Sequence, residues 1–214
     1  MKITKGYEGS ERILPAGAVA ELVRLNRDYL GLMAGNTEGS APPLAPAVLR
    51  GLRSASGAAL DAMAACSYAL FVLDPPPFTP ADPSQMAYVQ DPVAERYGTG
   101  APDGGAWPAF AMAALSFAWL LSRQSPLSAR VMLGFSTTAT TAVAAMDPWT
   151  MRRTAIRQTQ PLQPRWSRNP CFWPDLLRSA DTPDLLRLDL ARLRGVQLLA
   201  ADLHPCRGNP ARRR

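Results

Sequence analysis

The sequence predicts an all-α fold, and three observations carry that prediction. Apolar residues recur at helical spacing in one segment after another. Cap-and-proline pairs such as Asp147-Pro148 and Thr182-Pro183 open several of these segments, and no stretch sustains a period-2 alternation. The layout is two small helical halves separated by a Pro/Gly-rich linker, with a helix-turn-helix-like pair in the second half. Its bounds are a helical region at 1–74, the linker at 75–106, a helical domain at 107–203 and a basic tail at 204–214.

Residues 18–34, AVAELVRLNRDYLGLMA, place Leu22, Leu25, Tyr29 and Leu32 on one stripe, with Glu21, Arg24 and Asp28 elsewhere, as an amphipathic helix requires. The breakers in GNTEGSAPPLAP make a loop. Helices over AVLRGLRS and GAALDAMAACSYALF follow. The stretch from Asp74 is then crowded with proline and glycine and marks the one clear boundary. Pro108 to Ser122 is apolar nearly all round and reads as a buried helix. Leu127 to Leu133 ends at Gly134, a left-handed cap. Ser136 caps TTATTAVAAM, whose β-branched residues make it dependent on packing. Asp147 and Pro148 start the next helix. NPCFWPDLLRSA and DTPDLLRLDLARLRGVQLLAADL close the fold, the latter with Thr182 as cap, Pro183 at the first position and Asp184 at the positive end of the dipole.

With 214 residues, 47% of them apolar, the chain can bury an ordinary core. The net charge of +6 is carried by arginine apart from Lys2 and Lys5, and where that charge sits matters more than its sum. Cys66, Cys171 and Cys206 are odd in number and form no C-x-x-C, which favours a reducing compartment. The first residues, MKITKGYEGSERILPAG, lack the apolar run of a signal peptide, so a cytoplasmic location is expected. Residues 104–122 carry no charge, but Pro108 interrupts them and the strongly apolar part is only ~22 Å long as a helix. A buried helix is the better reading than a membrane span.

The stretch DPWTMRRTAIRQTQ, residues 147–160, has no acid to answer its arginines before Asp175. On a helix from 148, Thr150, Arg153, Thr154 and Arg157 share a stripe, with Met151 and Ala155 on an apolar line and Trp149 with Ile156 on another. A helix, a tight turn and a second helix with a Thr/Arg face have the outline of a helix-turn-helix. Guanidinium forks suit phosphate or guanine edges, and threonine hydroxyls can bond to either. Arg152, Arg165 and Arg168 would add backbone contacts. A solvated arginine face is the plainer alternative.

Phe172, Trp173 and Leu176 form either a hydrophobic staple between the last two helices or, with Trp166, an exposed anchor for a partner protein; the staple is preferred. His204 and Cys206 match no zinc spacing, even with Cys171, so no metal site and no cofactor are expected. The single histidine has no serine or cysteine placed for activation. GTGAPDGG follows no strand, and the acids of DTPD fit helix capping, so no enzyme is expected.

Residues from about 115 to 200 resemble the FlhD family of flagellar transcriptional activator subunits. LSFAWLLSRQ is similar to its early helix. ARVMLGFSTTATTAVAAMDPWTMRRTA is similar in spacing to its Leu-Gly, Ser, helix, turn and helix. Arg165-Trp166 stands where the family has Arg-Phe, and PDLLRLDLARLRGVQLL resembles its final helix, with Asp184, Leu185, Leu198 and Leu199 in register. The N-terminal half reads as a degenerate second copy, LNRDYLGLMA comparing with LSFAWLLSRQ. The resemblance implies an oligomeric, DNA-contacting or partner-binding regulator that acts on promoter DNA beside an FlhC-like zinc-binding subunit. The family's cysteine before Arg-Phe falls near Leu162 here, so no inter-subunit disulfide is carried over. The alternative is a helical adaptor or assembly component of a bacterial secretion or motility apparatus, whose arginines meet an acidic protein.

Overall fold

A computed structural model describes residues 17–35, 44–73, 105–157, 161–182 and 184–203. Among them are nine helices: α1 (Ala18–Gly35), α2 (Pro46–Ser54), α3 (Gly57–Ala64), α4 (Ala106–Gln124), α5 (Pro126–Leu133), α6 (Thr137–Ala144), α7 (Pro148–Arg157), α8 (Phe172–Ala180) and α9 (Leu185–Leu203). The fold is all-α. Most of the linker, Pro183, and His204 and Cys206 of the tail lie outside the described residues.

Local signals placed most ends correctly. Ser136 Oγ accepts the Ala139 amide at 3.0 Å, Asp147 Oδ1 accepts that of Thr150 at 2.8 Å, and Gly134 adopts φ 74° behind α5. The cap of α9 differs. Asp184 Oδ1 accepts the Arg187 amide at 3.2 Å, while the Thr182 hydroxyl donates back to the Ser179 carbonyl at 3.1 Å. Asp184, expected only to complement the dipole, is the N-cap.

Two helices also depart from expectation. The buried stripe of α1 runs through Leu30 and Met33, leaving Leu32 partly exposed. α4 buries Phe110, Ala114, Leu115, Phe117, Ala118 and Leu121 but shows Ala113, Ser116 and Leu120 to solvent, so it is not enclosed all round. Among the described residues, no helix is long and apolar enough to cross a membrane.

The largest departure is at α3, which stops at Ala64 instead of running on to Phe71. The cause lies on α1. Asn26, fully buried, donates through Nδ2 to the carbonyls of Ala64 (3.2 Å) and Tyr68 (2.9 Å), and its Oδ1 accepts the Leu70 amide at 2.9 Å. One amide thus satisfies three backbone groups that a continuing helix would have paired internally. The released segment bends at Ser67, Tyr68 and Leu70 and ends in an isolated antiparallel bridge between Phe71 and Pro164. Ala69 donates to the Met132 carbonyl, Val72 to that of Gln163 and Arg165 to that of Leu70, each at 2.8 Å.

These bonds stitch the first helical region to the second, and the apolar core is correspondingly continuous. It runs from Leu22 on α1 to Leu199 on α9. α1 packs on α4 as well as on α2 and α3, and α8 packs on both α2 and α3. Tyr29 sits at the junction, in ring contact with Phe71, Trp107 and Phe110, and donates its hydroxyl to the Leu162 carbonyl at 3.0 Å. The two regions therefore share one core, where the sequence reading had two halves. Small helices expose too much apolar surface to stand alone, and pooling their faces removes it from water.

Gly195 shows how closely the two regions approach. A Cβ there would strike the Tyr68 ring, which contacts the rings of Trp166 and Phe172 and donates its hydroxyl to the Arg192 carbonyl at 3.0 Å. Gly to Ala inside a helix ordinarily stabilises by about 0.5–1 kcal/mol. Gly195→Ala is expected to destabilise instead, by about 1–3 kcal/mol as overpacking does, which urea unfolding would read.

Candidate functional site

The two helices expected around a tight turn are α6 and α7, joined by a turn at 145–147, and both pack chiefly on α4. The Trp119 indole fixes the turn by donating to the Met146 carbonyl at 2.9 Å. α7 buries Met151 and Ala155 against the core and leaves Trp149, Arg152, Arg153 and Arg157 exposed. At about 100° per residue, Trp149, Arg153 and Arg157 form one row opposite the buried line. Trp149, on the apolar line that it shares with Ile156, is 61% exposed.

Cation pairing sets α7 apart from α1, α8 and α9; among the described residues Arg50, Arg123 and Arg130, on α2, α4 and α5, also lack a carboxylate within ion-pair distance. Arg24, Arg27, Arg165, Arg178, Arg187, Arg192 and Arg194 each lie within an ion-pair distance of a carboxylate. Among the described residues, Arg152, Arg153, Arg157 and Arg168 have no acidic partner. Arg168 ends the turn before α8, exposed. The only acid on α7 is its cap. Thr150, through its amide and then its hydroxyl, holds the Asp147 carboxyl below the usual carboxylate range. That cap is fully made at neutral pH and is lost as pH falls through the depressed value.

Three expected contact residues are otherwise engaged. Arg165 is 6% exposed, where the sequence reading had it free for phosphate. Its guanidinium lies 4.7 Å from the Trp166 ring, 3.9 Å from Asp202 and against the backbone of Gly134. Burial lowers its pKa, an effect opposed by Asp202. It is a structural cation joining the α5 end to α9. Thr150 donates its hydroxyl to Asp147 Oδ2 at 2.7 Å and Thr154 to the Thr150 carbonyl at 2.8 Å. With those protons committed, neither can donate to a phosphate oxygen, which only accepts.

The aromatic anchor is also corrected. Phe172 and Trp173 are each 1% exposed, and the Trp173 indole donates to the Arg165 carbonyl at 2.8 Å. They form the core between α8 and its neighbours, as the staple reading held. Trp166, half-buried at φ 52°, donates to Asp202 at 2.8 Å and packs on Phe172 and Tyr68. Phe172 and Trp173 therefore present no exposed ring, and Trp166 presents only part of one.

Cys66 and Tyr68 make a second polar cluster beside Arg192. Burial pushes the Cys66 thiol up to about 11 and the Tyr68 phenol well above its ordinary range, so both are neutral at physiological pH. A protonated, buried thiol is a poor nucleophile. Comparison with protein-family models, with curated proteins and with solved structures finds no significant match.

Proposed function

We propose that the chain is a helical regulatory subunit that contacts the phosphate backbone of DNA through the outer face of α7. The observation that carries this reading is the run of exposed arginines without acidic partners, Arg152, Arg153 and Arg157, on one helix, where α1, α8 and α9 pair every arginine they carry. Guanidinium groups held at about one helical turn apart can each take a phosphate oxygen, and the contact is sequence-independent. Arg168 extends the charge toward α8. The FlhD resemblance supports the same reading: a non-enzymatic cytoplasmic transcriptional regulator, working on promoter DNA beside an FlhC-like subunit.

A second reading is favoured by Trp149. An exposed tryptophan among arginines is the composition of a protein-interface hot spot, which suits an assembly adaptor meeting an acidic protein face. Binding to random duplex DNA across a salt series separates the two. Phosphate contact predicts a log–log slope of about −0.9 per neutralised phosphate, shallower by roughly two units in Arg153→Ala/Arg157→Ala. No binding at low salt overturns DNA contact by this chain and leaves the adaptor.

A further inference from the structure

α9 is apolar on two opposite faces. Leu188, Ala191, Gly195 and Leu199 are buried against the body of the protein. On the far side, Leu186, Leu190 and Leu193 are 69%, 56% and 51% exposed, followed in the same row by exposed Gln197 and Ala200. The spacing of that outer row alternates four and three residues, the a/d pattern of a coiled-coil seam, with Leu186 at d, Leu190 at a, Leu193 at d and Gln197 at a. At about 100° per residue the two rows are about 180° apart. Among the described residues nothing covers the outer one.

The flanking charges specify the occupant. Asp189 falls at a g position and Arg194 at the following e position, five residues on. In a parallel pair of identical helices, a g residue faces the e residue five positions further on its partner, so each Asp189 meets an Arg194 twice around the two-fold axis. An antiparallel pair sets e against e and g against g, bringing Arg194 toward Arg187 of the other helix. A single polar residue at a, here Gln197, is a known device for fixing register and strand number. Asp189 at present bonds the half-buried Arg192 of its own helix, and Arg194 bonds Asp175 of α8, so Arg194 would bridge two carboxylates.

We propose that this face is a self-association surface: α9 pairs in parallel with α9 of a second copy, through Leu186, Leu190, Leu193 and Gln197. The buried row points directly away from the seam, so each helix would meet its partner with the body of its own protein behind it. The helix is already folded, so pairing does not have to supply the cost of nucleating it. The proposal is independent of α7 and of DNA.

Sedimentation of the full chain, without DNA, tests it. A reversible dimer should form with rising concentration, and Leu190→Glu should weaken it at least about tenfold. Asp189→Arg and Arg194→Glu should each weaken self-association, while an equimolar mixture should pair preferentially, since opposite charges then face across both contacts. Circular dichroism checks that each variant stays helical, and the exposed position of Asp189, 70% accessible, keeps that variant informative if Leu190→Glu misfolds. A chain that remains monomeric to about 100 μM overturns the proposal, whatever else covers the face. So does a dimer indifferent to Leu190→Glu, or a mixture that pairs no better than its components.

Discussion

Asn26→Ala is expected to destabilise the chain by about 3–5 kcal/mol, the loss of three buried hydrogen bonds made by one side chain. The carbonyls of Ala64 and Tyr68 and the amide of Leu70 lie in the interior, where water cannot replace the lost amide at full strength. The effect should exceed that of an ordinary surface substitution many times over, although Asn26 contributes little apolar area. Asn26→Asp separates the contributions: it keeps an acceptor for Leu70 but loses both donations and adds a buried charge, and it should be no better than alanine. Urea unfolding with an unchanged m-value would read both. A loss below about 1 kcal/mol for the alanine variant would mean that the 64–70 segment is not held as described.

Trp173→Ala should cost about as much, ~3–5 kcal/mol, for a different reason. Its ring is fully enclosed, 5.6 Å from that of Phe172, and truncation leaves a cavity in the core shared by both helical regions. The indole also satisfies the Arg165 carbonyl. Trp173→Phe should therefore recover most of the packing and still lose about 1–3 kcal/mol through that orphaned carbonyl. Thermal and urea unfolding give both values. A near-neutral Trp173→Ala would place the indole at the surface after all and revive the partner-anchor reading.

What could be read in the sequence follows from range. Ser136, Asp147 and Gly134 act on groups three or four residues away, so a cap or a left-handed stop is visible in the local string. The early end of α3 was not visible. GAALDAMAACSYALF has adequate helix propensity throughout, and the residue that ends it, Asn26, sits 38 positions from the first carbonyl it takes. Arg165 was misread for the same cause. Nothing near it in the chain is acidic; its partner Asp202 and the backbone it lies on at Gly134 come from α9 and from the end of α5. Two sequence-distant helical regions sharing one core could not be inferred from a boundary that looked like a linker. On α7 the local pattern sufficed to place Arg152, Arg153 and Arg157 outside and Met151 and Ala155 inside, because amphipathic spacing fixes both faces at once.

Anion contact by the outer face of α7 has a charge-matched test. Arg153→Glu/Arg157→Glu and Arg178→Glu/Arg187→Glu change the net charge equally, but only the first pair lies among the exposed arginines without acidic partners on α7. Binding of each protein to the same short duplex at low salt is the measurement to make. If the α7 face makes the contact, the α7 variant loses binding while the α8–α9 variant keeps most of it. Equal losses in the two would show that only net charge attracts the duplex and would contradict a contact surface on α7.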